Sequence, residues 1–245
     1  DISSARQKLR DVIITTAKRG GKVLIPAFSL ERTQEIVYDL HLLWDAKEIP
    51  AIPIMIDSPL ATRVTEVFRK HPECYDQSMY EEFLSKAHNP FQFSLVNYTE
   101  TVEQSKELNG ALGPMVIMAG SGMCEAGRIR HHLRNELEDA RNTVLAVGYM
   151  AENTLGRRII DRECTSVKIF NDVVQKKAEI HYINAYSGHA DKDDLDGYIQ
   201  SIQGLKTLYL VHGEERGMFA LAERTAAAKN VSIIMPERGK VNEVE

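Results

Sequence analysis

The fold is decided by an apolar run that enters a glycine-rich turn, Met115-Val116-Ile117-Met118-Ala119-Gly120-Ser121-Gly122. An unbroken apolar run of this length is typical of a strand covered on both faces, as in a parallel sheet. A helical pattern follows at residues 129–137. Strand, tight turn and helix in this order form the repeating unit of a parallel α/β fold.

Outward from this stretch the same alternation recurs. Further strands are predicted at residues 22–26, 52–56, 143–147, 180–183, 208–211 and 231–234. Helical spacing separates most of them, with Ser29 and Asp191 as candidate N-caps, while Pro53 favours a strand start or an edge. The pattern predicts an α/β protein whose mainly parallel sheet is flanked by helices.

Composition excludes several classes of protein. The 245 residues carry a net charge of −5, which argues against bulk electrostatic capture of nucleic acid. Three widely spaced cysteines without a CxxC pair exclude a disulfide framework and a cysteine-rich zinc knuckle. No apolar tract approaches the ~18 residues that span a bilayer, and no secretory h-region is visible. We therefore expect a cytoplasmic protein with no membrane partner.

The first helical stripe, from Ala5 to Thr16, has no strand before it. A parallel sheet that opens on a helix suggests a piece of a larger fold.

Three loops lie where an α/β fold places its chemistry, just after a strand. In the first, residues 119–128, glycines and a helix start would let backbone N–H groups approach an anion, and Arg128, Arg130 and the pair His131-His132 would add positive charge. The loop is neither a P-loop nor a dinucleotide fingerprint. Alternatively, the loop is only a tight strand-to-helix turn, in which glycine serves as a packing device because it lets the backbone pack closely.

The other two loops carry histidines. His189 lies on a glycine-flanked loop before a helix, where it could transfer a proton or simply bond to backbone. His212 follows an apolar strand, a common position for a metal ligand, and Glu214 could orient it or cap the next helix. Asp57-Ser58-Pro59 could face a cleft, although an N-cap is the favoured reading there.

Taken in order, these loops resemble the β-CASP domain of RNA-processing metallo-β-lactamase proteins. The resemblance covers essentially the whole chain and rests on six ordered motifs: Gly20 to Ser29, Asp57-Ser58-Pro59-Leu60-Ala61, Ser121-Gly122-Met123, Gly148-Tyr149 with Thr154-Leu155-Gly156-Arg157, Ser187-Gly188-His189-Ala190-Asp191, and Val211-His212-Gly213-Glu214. Asn153 departs from the pattern, because many members have glycine there.

The resemblance implies a β-CASP domain over residues 1–184 and the C-terminal segment of a metallo-β-lactamase (αββα) domain over 185–245. It implies that His189 lies beside the scissile phosphate, that His212 binds one of two zinc ions, and that Asp1 is the acid that orients His189. RNA phosphates would be gripped on the β-CASP side of the cleft, and the residues expected to do so are Ser121, Gly122, Arg128, Thr154 and Arg157.

The family's main zinc motif, HxHxDH, does not occur in this sequence. We therefore expect a zinc-dependent ribonuclease acting on single-stranded RNA in the complete protein, with zinc absent or incomplete in this chain and no activity from the chain alone. The alternative is a non-catalytic RNA-binding or scaffold paralogue of an RNA-processing complex, and a blander one is an α/β binding domain without a nucleic-acid role. An uncovered sheet edge would also favour a homodimer.

Overall fold

The computed structural model describes residues 2–77, 79–81, 89–186 and 188–241. The chain forms two compact units, Asp1–Ser187 and Gly188–Glu245. Asp1 and Ser187 themselves lie outside the described residues.

The strands of the first unit among the described residues, numbered in chain order, are β1 Lys22–Pro26, β2 Ile54–Asp57, β3 Val96–Tyr98, β4 Met115–Ala119, β5 Thr143–Val147, β6 Ser166–Ile169, β7 Asp172–Gln175 and β8 Glu179–Ile183. Six of them form one sheet with the order β3-β2-β4-β1-β5-β8, in which all neighbouring strands are parallel. The stretch that decides the fold is therefore a central strand, with β1 and β2 on its two sides. The predicted parallel α/β architecture is confirmed.

Alternate residues of β4 serve opposite faces of the sheet. Val116 and Met118 belong to one core cluster, and Ile117 and Ala119 belong to the other. Helices cover both faces, which is why every residue of β4 is buried and the strand reads as a continuous apolar run. Within the described ranges, the α-helices of this unit are α1 Ile2–Lys18, α2 Arg32–Asp45, α3 Pro59–Lys70, α4 Val102–Gly110, α5 Ile129–Glu136 and α6 Leu155–Ile160.

Several features differ from the sequence prediction, among them a helix cap and a hairpin. The expectation that Ser29 caps α2 is wrong, because that helix begins at Arg32 and Glu31 occupies the N-cap position without a side-chain bond. The Ser29 hydroxyl lies 3.0 Å from that of Ser58 instead. Strands β6 and β7 form an antiparallel hairpin that the alternating pattern did not predict.

The second unit is small. It contains α7 Lys192–Ser201, β9 Thr207–Tyr209, α8 Glu215–Ala228 and β10 Ser232–Ile234, and its two strands are parallel. Asp191 caps α7 through hydrogen bonds from the N–H groups of Asp193 and Asp194, which confirms the predicted cap. No helix within the described residues is long and apolar enough to cross a membrane.

Candidate functional site

A cleft of about 460 Å³ opens at the carboxyl ends of β1, β2 and β4. We call it the crest cleft. Its lining residues are Phe28, Ser29, Leu30, Asp57, Ser58, Pro59, Leu60, Gly120, Ser121, Ala126, Gly127 and Arg128. Ligands of open α/β sheets bind at this end of the strands, so its position makes it the candidate site of the first unit.

Two of the glycines in the loop at residues 120–128 stand where neighbouring atoms approach closely. A Cβ at Gly122 would lie 2.7 Å from the ring of Phe28. A Cβ at Gly127 would lie 2.3 Å from the carbonyl oxygen of Gly120, and Gly127 has a φ of +76°. The alternative reading of this loop, glycine as a packing device, is confirmed at these two positions. Its role in binding phosphate stays a prediction.

Asp57, the last residue of β2, is the buried anchor of the cleft. Its side chain is fully buried and accepts hydrogen bonds from Ser105 Oγ at 2.6 Å, His132 Nε2 at 2.6 Å, Arg128 at 2.7 Å and the Thr99 hydroxyl. Burial alone would raise the pKa of Asp57. The hydrogen bonds from His132, Ser105, Thr99 and Arg128 outweigh burial and lower the pKa to about 2. The carboxylate is therefore ionised throughout the physiological range.

Ser58, not Asp57, supplies the N-cap that the sequence favoured at this point. The Ser58 hydroxyl accepts from the N–H of Ala61 at 3.2 Å. The Asp57 carboxylate is therefore not needed as the cap; it is buried and accepts hydrogen bonds from Arg128 and His132.

Arg128 lines the cleft, and both terminal nitrogens of its guanidinium are held by hydrogen bonds. One terminal nitrogen donates to Asp57 at 2.7 Å and the other donates to the carbonyl of Glu100 at 3.0 Å. The side chain is 18% exposed, and its Nε–H group has no partner within the described part of the chain. A guanidinium held in this way keeps a donor for an anion without needing to be ordered first.

Further donors lie beside Arg128. The Ser121 hydroxyl accepts from the N–H of Ala126 at 3.1 Å, so its own proton can be donated. The N–H groups of Gly127 and Arg128 make no hydrogen bond to other described residues. The structure thus brings Ser121 and Arg128 to one cleft, and their predicted contact with RNA phosphates stays a prediction.

The rim of the cleft is apolar. Phe28, Leu30 and Leu60 are 50%, 62% and 61% exposed. Large apolar side chains grouped beside polar donors are the ordinary composition of a binding site.

Thr154 and Arg157 are not among the residues that line the crest cleft. Thr154 caps α6, because its hydroxyl accepts from the N–H of Arg157 at 3.1 Å and donates to the carbonyl of Ala151 at 2.7 Å. Arg157 donates to the carbonyl of Met150 at 3.0 Å. Their predicted contact with RNA stays a prediction. Asn153, before them, has a φ of 65°, which explains why asparagine can stand where glycine is usual.

His132 corrects one expectation. It does not add positive charge to the surface of the loop, because it is fully buried and bonds to Asp57 and, through Nδ1, to Asn109 at 2.9 Å. The sequence placed Asp57 at a possible cleft and His132 on the loop, but it did not predict that the two side chains bond to each other in the interior. Two polar residues at buried positions, one at a strand end and one on a helix face, were the available signal.

The candidate catalytic residue His189 and the candidate zinc ligand His212 both belong to the second unit and expose their side chains. His212 follows β9 with a φ of 67°, a conformation that only a few non-glycine residues adopt. Glu214 occupies the N-cap position of α8, but its side chain makes no capping bond. The predicted roles of His189 and His212 stay predictions, and Asp1 lies outside the described residues.

Within the described residues, no group of three or more His, Cys, Asp or Glu side chains is arranged to hold a metal ion. Cys124 is buried, and burial raises the pKa of its thiol to about 12, which makes it a poor ligand and nucleophile. The described residues therefore do not fit a complete zinc site.

Two family models match the chain. The Beta-Casp domain matches residues 33–159, just over half of the chain, and includes β2, β4 and the loop at residues 120–128 of the crest cleft but not β1 or Phe28, Ser29 and Leu30. The chain belongs to the Beta-Casp family. The Zn-dependent metallo-hydrolase RNA specificity domain matches residues 173–236 of the same Beta-Casp chain. The resemblance stated from the motifs is confirmed.

Curated relatives match almost the whole Beta-Casp chain. Ribonuclease TTHA0252 of Thermus thermophilus is 40% identical over 216 residues, which cover 88% of this chain and 48% of that protein. Transcription termination factor FttA of Pyrococcus abyssi is 32% identical over 225 residues, covering 89% of this chain and 34% of its own. Cleavage and polyadenylation specificity factor subunit 3-I of Arabidopsis thaliana is 30% identical over 220 residues, covering 89% and 30%.

The chain thus spans about half the length of ribonuclease TTHA0252 and about a third of the length of the other two relatives. The predicted boundary after residue 184 stays a prediction; the compact units divide between residues 187 and 188.

Proposed function

We propose that this chain is the RNA-gripping part of a zinc-dependent ribonuclease that hydrolyses phosphodiester bonds of single-stranded RNA. The observation that carries the proposal is the crest cleft, in which Asp57 holds Arg128 against a glycine-rich loop in a chain of the Beta-Casp family. The names of the relatives support an RNA substrate, since one of them is a ribonuclease and another a cleavage factor.

The donors of the crest cleft suit a phosphate. Arg128 has an unused Nε–H, Ser121 has an unused hydroxyl proton, and the N–H groups of Gly127 and Arg128 point to no acceptor within the described residues. Fixed N–H and O–H donors without protein partners bind oxyanions because nothing has to be broken first. The bulk charge of −5 is no obstacle, since this grip is local.

The apolar rim suits the bases. Phe28 is half exposed beside the donors, and an aromatic ring stacks on any base without reading its sequence. Such stacking requires bases that are not already paired, so the ligand is a single strand.

The hydrolytic step needs groups beyond the described residues. In the complete protein, zinc would polarise the phosphate and lower the pKa of a bound water. His212 would be one imidazole ligand, and His189, oriented by an acid, would hold a proton near the leaving oxygen. We expect the 245-residue chain to bind RNA without cutting it.

The cleft is tested by titrating fluorescein-labelled oligouridine with the chain and following anisotropy. Arg128→Lys keeps a charge for Asp57 but removes the Nε–H donor, and Phe28→Leu keeps the packing over Gly122 but removes the stacking ring. Each should raise Kd about fivefold or more, which corresponds to ~1 kcal/mol. Affinity should also fall as salt rises, because phosphates are contacted.

Leu112→Ala is the matched control. Leu112 is 92% exposed and precedes β4, so it lies at the opposite end of that strand from the cleft. Its removal should leave Kd unchanged. If both cleft variants bind like the unaltered chain, the cleft is not where RNA is held.

Reading the gene upstream of residue 1 separates a nuclease, which requires HxHxDH there, from a scaffold paralogue.

A further inference from the structure

An aromatic residue stands at the tip of the β6–β7 hairpin, in a position that favours glycine. Phe170 and Asn171 form the two-residue connection between Ile169 and Asp172, and Phe170 has a φ of 55°. Two-residue hairpin turns with a positive φ at their first position normally take glycine, because a large side chain is unfavourable there. A ring kept in such a position calls for an explanation outside the turn itself.

The ring of Phe170 lies against two side chains of α5. The guanidinium carbon of Arg130 is 4.3 Å from the ring centroid, and the imidazole centroid of His131 is 4.8 Å away with the two planes tilted by 38°. Phe170 is nevertheless 38% exposed. The residues Arg130, His131, Arg134, Lys168 and Phe170 together are called the hairpin patch.

The hairpin patch carries an excess of positive charge. Arg134 is paired with Asp172, and the carboxylate of Glu125 accepts from the N–H of Leu155. Arg130 donates to a backbone carbonyl, that of Glu125, at 3.2 Å and forms no ion pair with a described residue. Lys168 is exposed on β6 and likewise forms no ion pair with a described residue. Arg130 thus lies against an exposed ring without a carboxylate to neutralise it, and Lys168 adds a second unpaired charge on the exposed face of the same hairpin.

We propose that the hairpin patch is a second contact for single-stranded RNA, separate from the crest cleft. A base stacks on the exposed part of the Phe170 ring, and the adjoining phosphates are held by Arg130 and Lys168. Aromatic rings between cations are the composition with which proteins track a single strand without reading its sequence. An acidic peptide would use the charges but has no base for the ring, so RNA is the ligand that accounts for both.

The inference rests on the proposed function, because the ligand is the same polymer, but the residues are different. Residue 128 lines the cleft and residue 130 belongs to the patch, with the loop at 120–128 leading from one to the other. A strand held in the cleft could therefore extend along this loop to the hairpin.

The test uses the whole chain and fluorescein-labelled oligouridine of about twenty nucleotides. Phe170→Asn keeps a residue suited to the left-handed turn and removes the ring, so the fold should survive. It should raise Kd about fivefold or more, since stacking on one base contributes that much. Phe170→Tyr, which keeps the ring, should stay within about twofold, and Val173→Ala, at an exposed position of the same hairpin, should bind like the unaltered chain.

Photo-crosslinking with 4-thiouridine gives a second readout. Crosslinks to the hairpin tip that disappear in Phe170→Asn support the patch. Equal Kd values for Phe170→Asn and the unaltered chain overturn it. If Arg128→Lys weakens binding while Phe170→Asn does not, the proposed function stands and only the patch is withdrawn. If no form of the chain binds RNA, both are withdrawn.

Discussion

The two compact units differ most in what they bury. The first has a hydrophobic core on each face of its sheet, with residues such as Leu24, Ile25 and Ile117 fully buried. Among the described residues of the second unit, only Ile199 and Leu210 are buried apolar side chains. Tyr198 and Phe219 of that unit are 69% and 58% exposed.

This difference teaches that the candidate RNA-binding cleft belongs to the well-packed unit, whereas the candidate catalytic and zinc-binding histidines belong to the thinly packed one. The first unit buries enough apolar surface to hold the crest cleft in shape, since its anchors grow out of buried strands. The second unit presents His189 and His212 on loops with little core behind them.

The largest expected effect comes from the same substitution in each unit. Leu24→Ala removes a fully buried side chain from the larger core and should lower the free energy of unfolding by about 3–5 kcal/mol. Leu210→Ala, at a position 8% exposed in a thin core, should change it by about 1 kcal/mol or less. Urea unfolding is followed by fluorescence of Trp44, the only tryptophan, for the first unit, and by far-UV circular dichroism, to which the helices of both units contribute, for Leu210→Ala. Equal losses would remove the distinction between the units.

A second comparison sets a buried carboxylate against an exposed one. Asp57→Asn leaves Arg128 and His132 without their buried anion and should cost about 3 kcal/mol. Asp139→Asn breaks only a surface pair with Arg141 and should cost less than about 1 kcal/mol. The control therefore removes a carboxylate of similarly low pKa, about 2, without a buried network. A cost for Asp57→Asn as small as that of Asp139→Asn would show that Asp57 is not the anchor of the cleft.

The same carboxylate predicts a pH dependence. Because the pKa of Asp57 is lowered from 3.8 to about 2 by folding, its contribution to stability is complete above pH 4 and is lost as pH falls towards 2. The loss should amount to about 2 kcal/mol. Urea midpoints measured at several acidic pH values check this. In Asp57→Asn this part of the acid dependence should be missing, and an identical dependence in both proteins would contradict the assignment.

Much of the parallel sheet could be predicted from sequence, and the anchor of the cleft could not. Strands such as Thr143–Val147 lie between two layers of helices, so their burial appears as unbroken apolar runs. Strand β3 was missed because it is a short strand at the sheet edge, and none of its three residues is buried. The network of Asp57 joins Thr99, Ser105 and Arg128 across 42 to 71 positions of sequence, a distance over which no local pattern operates.

The smallest expected effects concern two left-handed residues, one in each unit. In Asn153→Ala, alanine would have a φ of 65° without a side chain that can form a local hydrogen bond. The substitution should therefore lower the free energy of unfolding by about 1 kcal/mol. His212 has a similar φ of 67°, which glycine adopts without strain. His212→Gly should therefore leave the free energy of unfolding unchanged within ~0.5 kcal/mol or raise it. Thermal unfolding of both variants measures these changes. A large loss from His212→Gly would mean that this histidine supports the fold, contrary to its proposed role as a ligand.

The central claim is that the chain grips RNA but needs further residues to cut it. The most direct measurement incubates the purified chain with zinc and end-labelled single-stranded RNA, and follows binding, cleavage and bound zinc in the same samples. We predict that the RNA is bound and remains intact and that fewer than two equivalents of zinc are retained. RNA cleavage accompanied by two bound zinc ions would contradict the account.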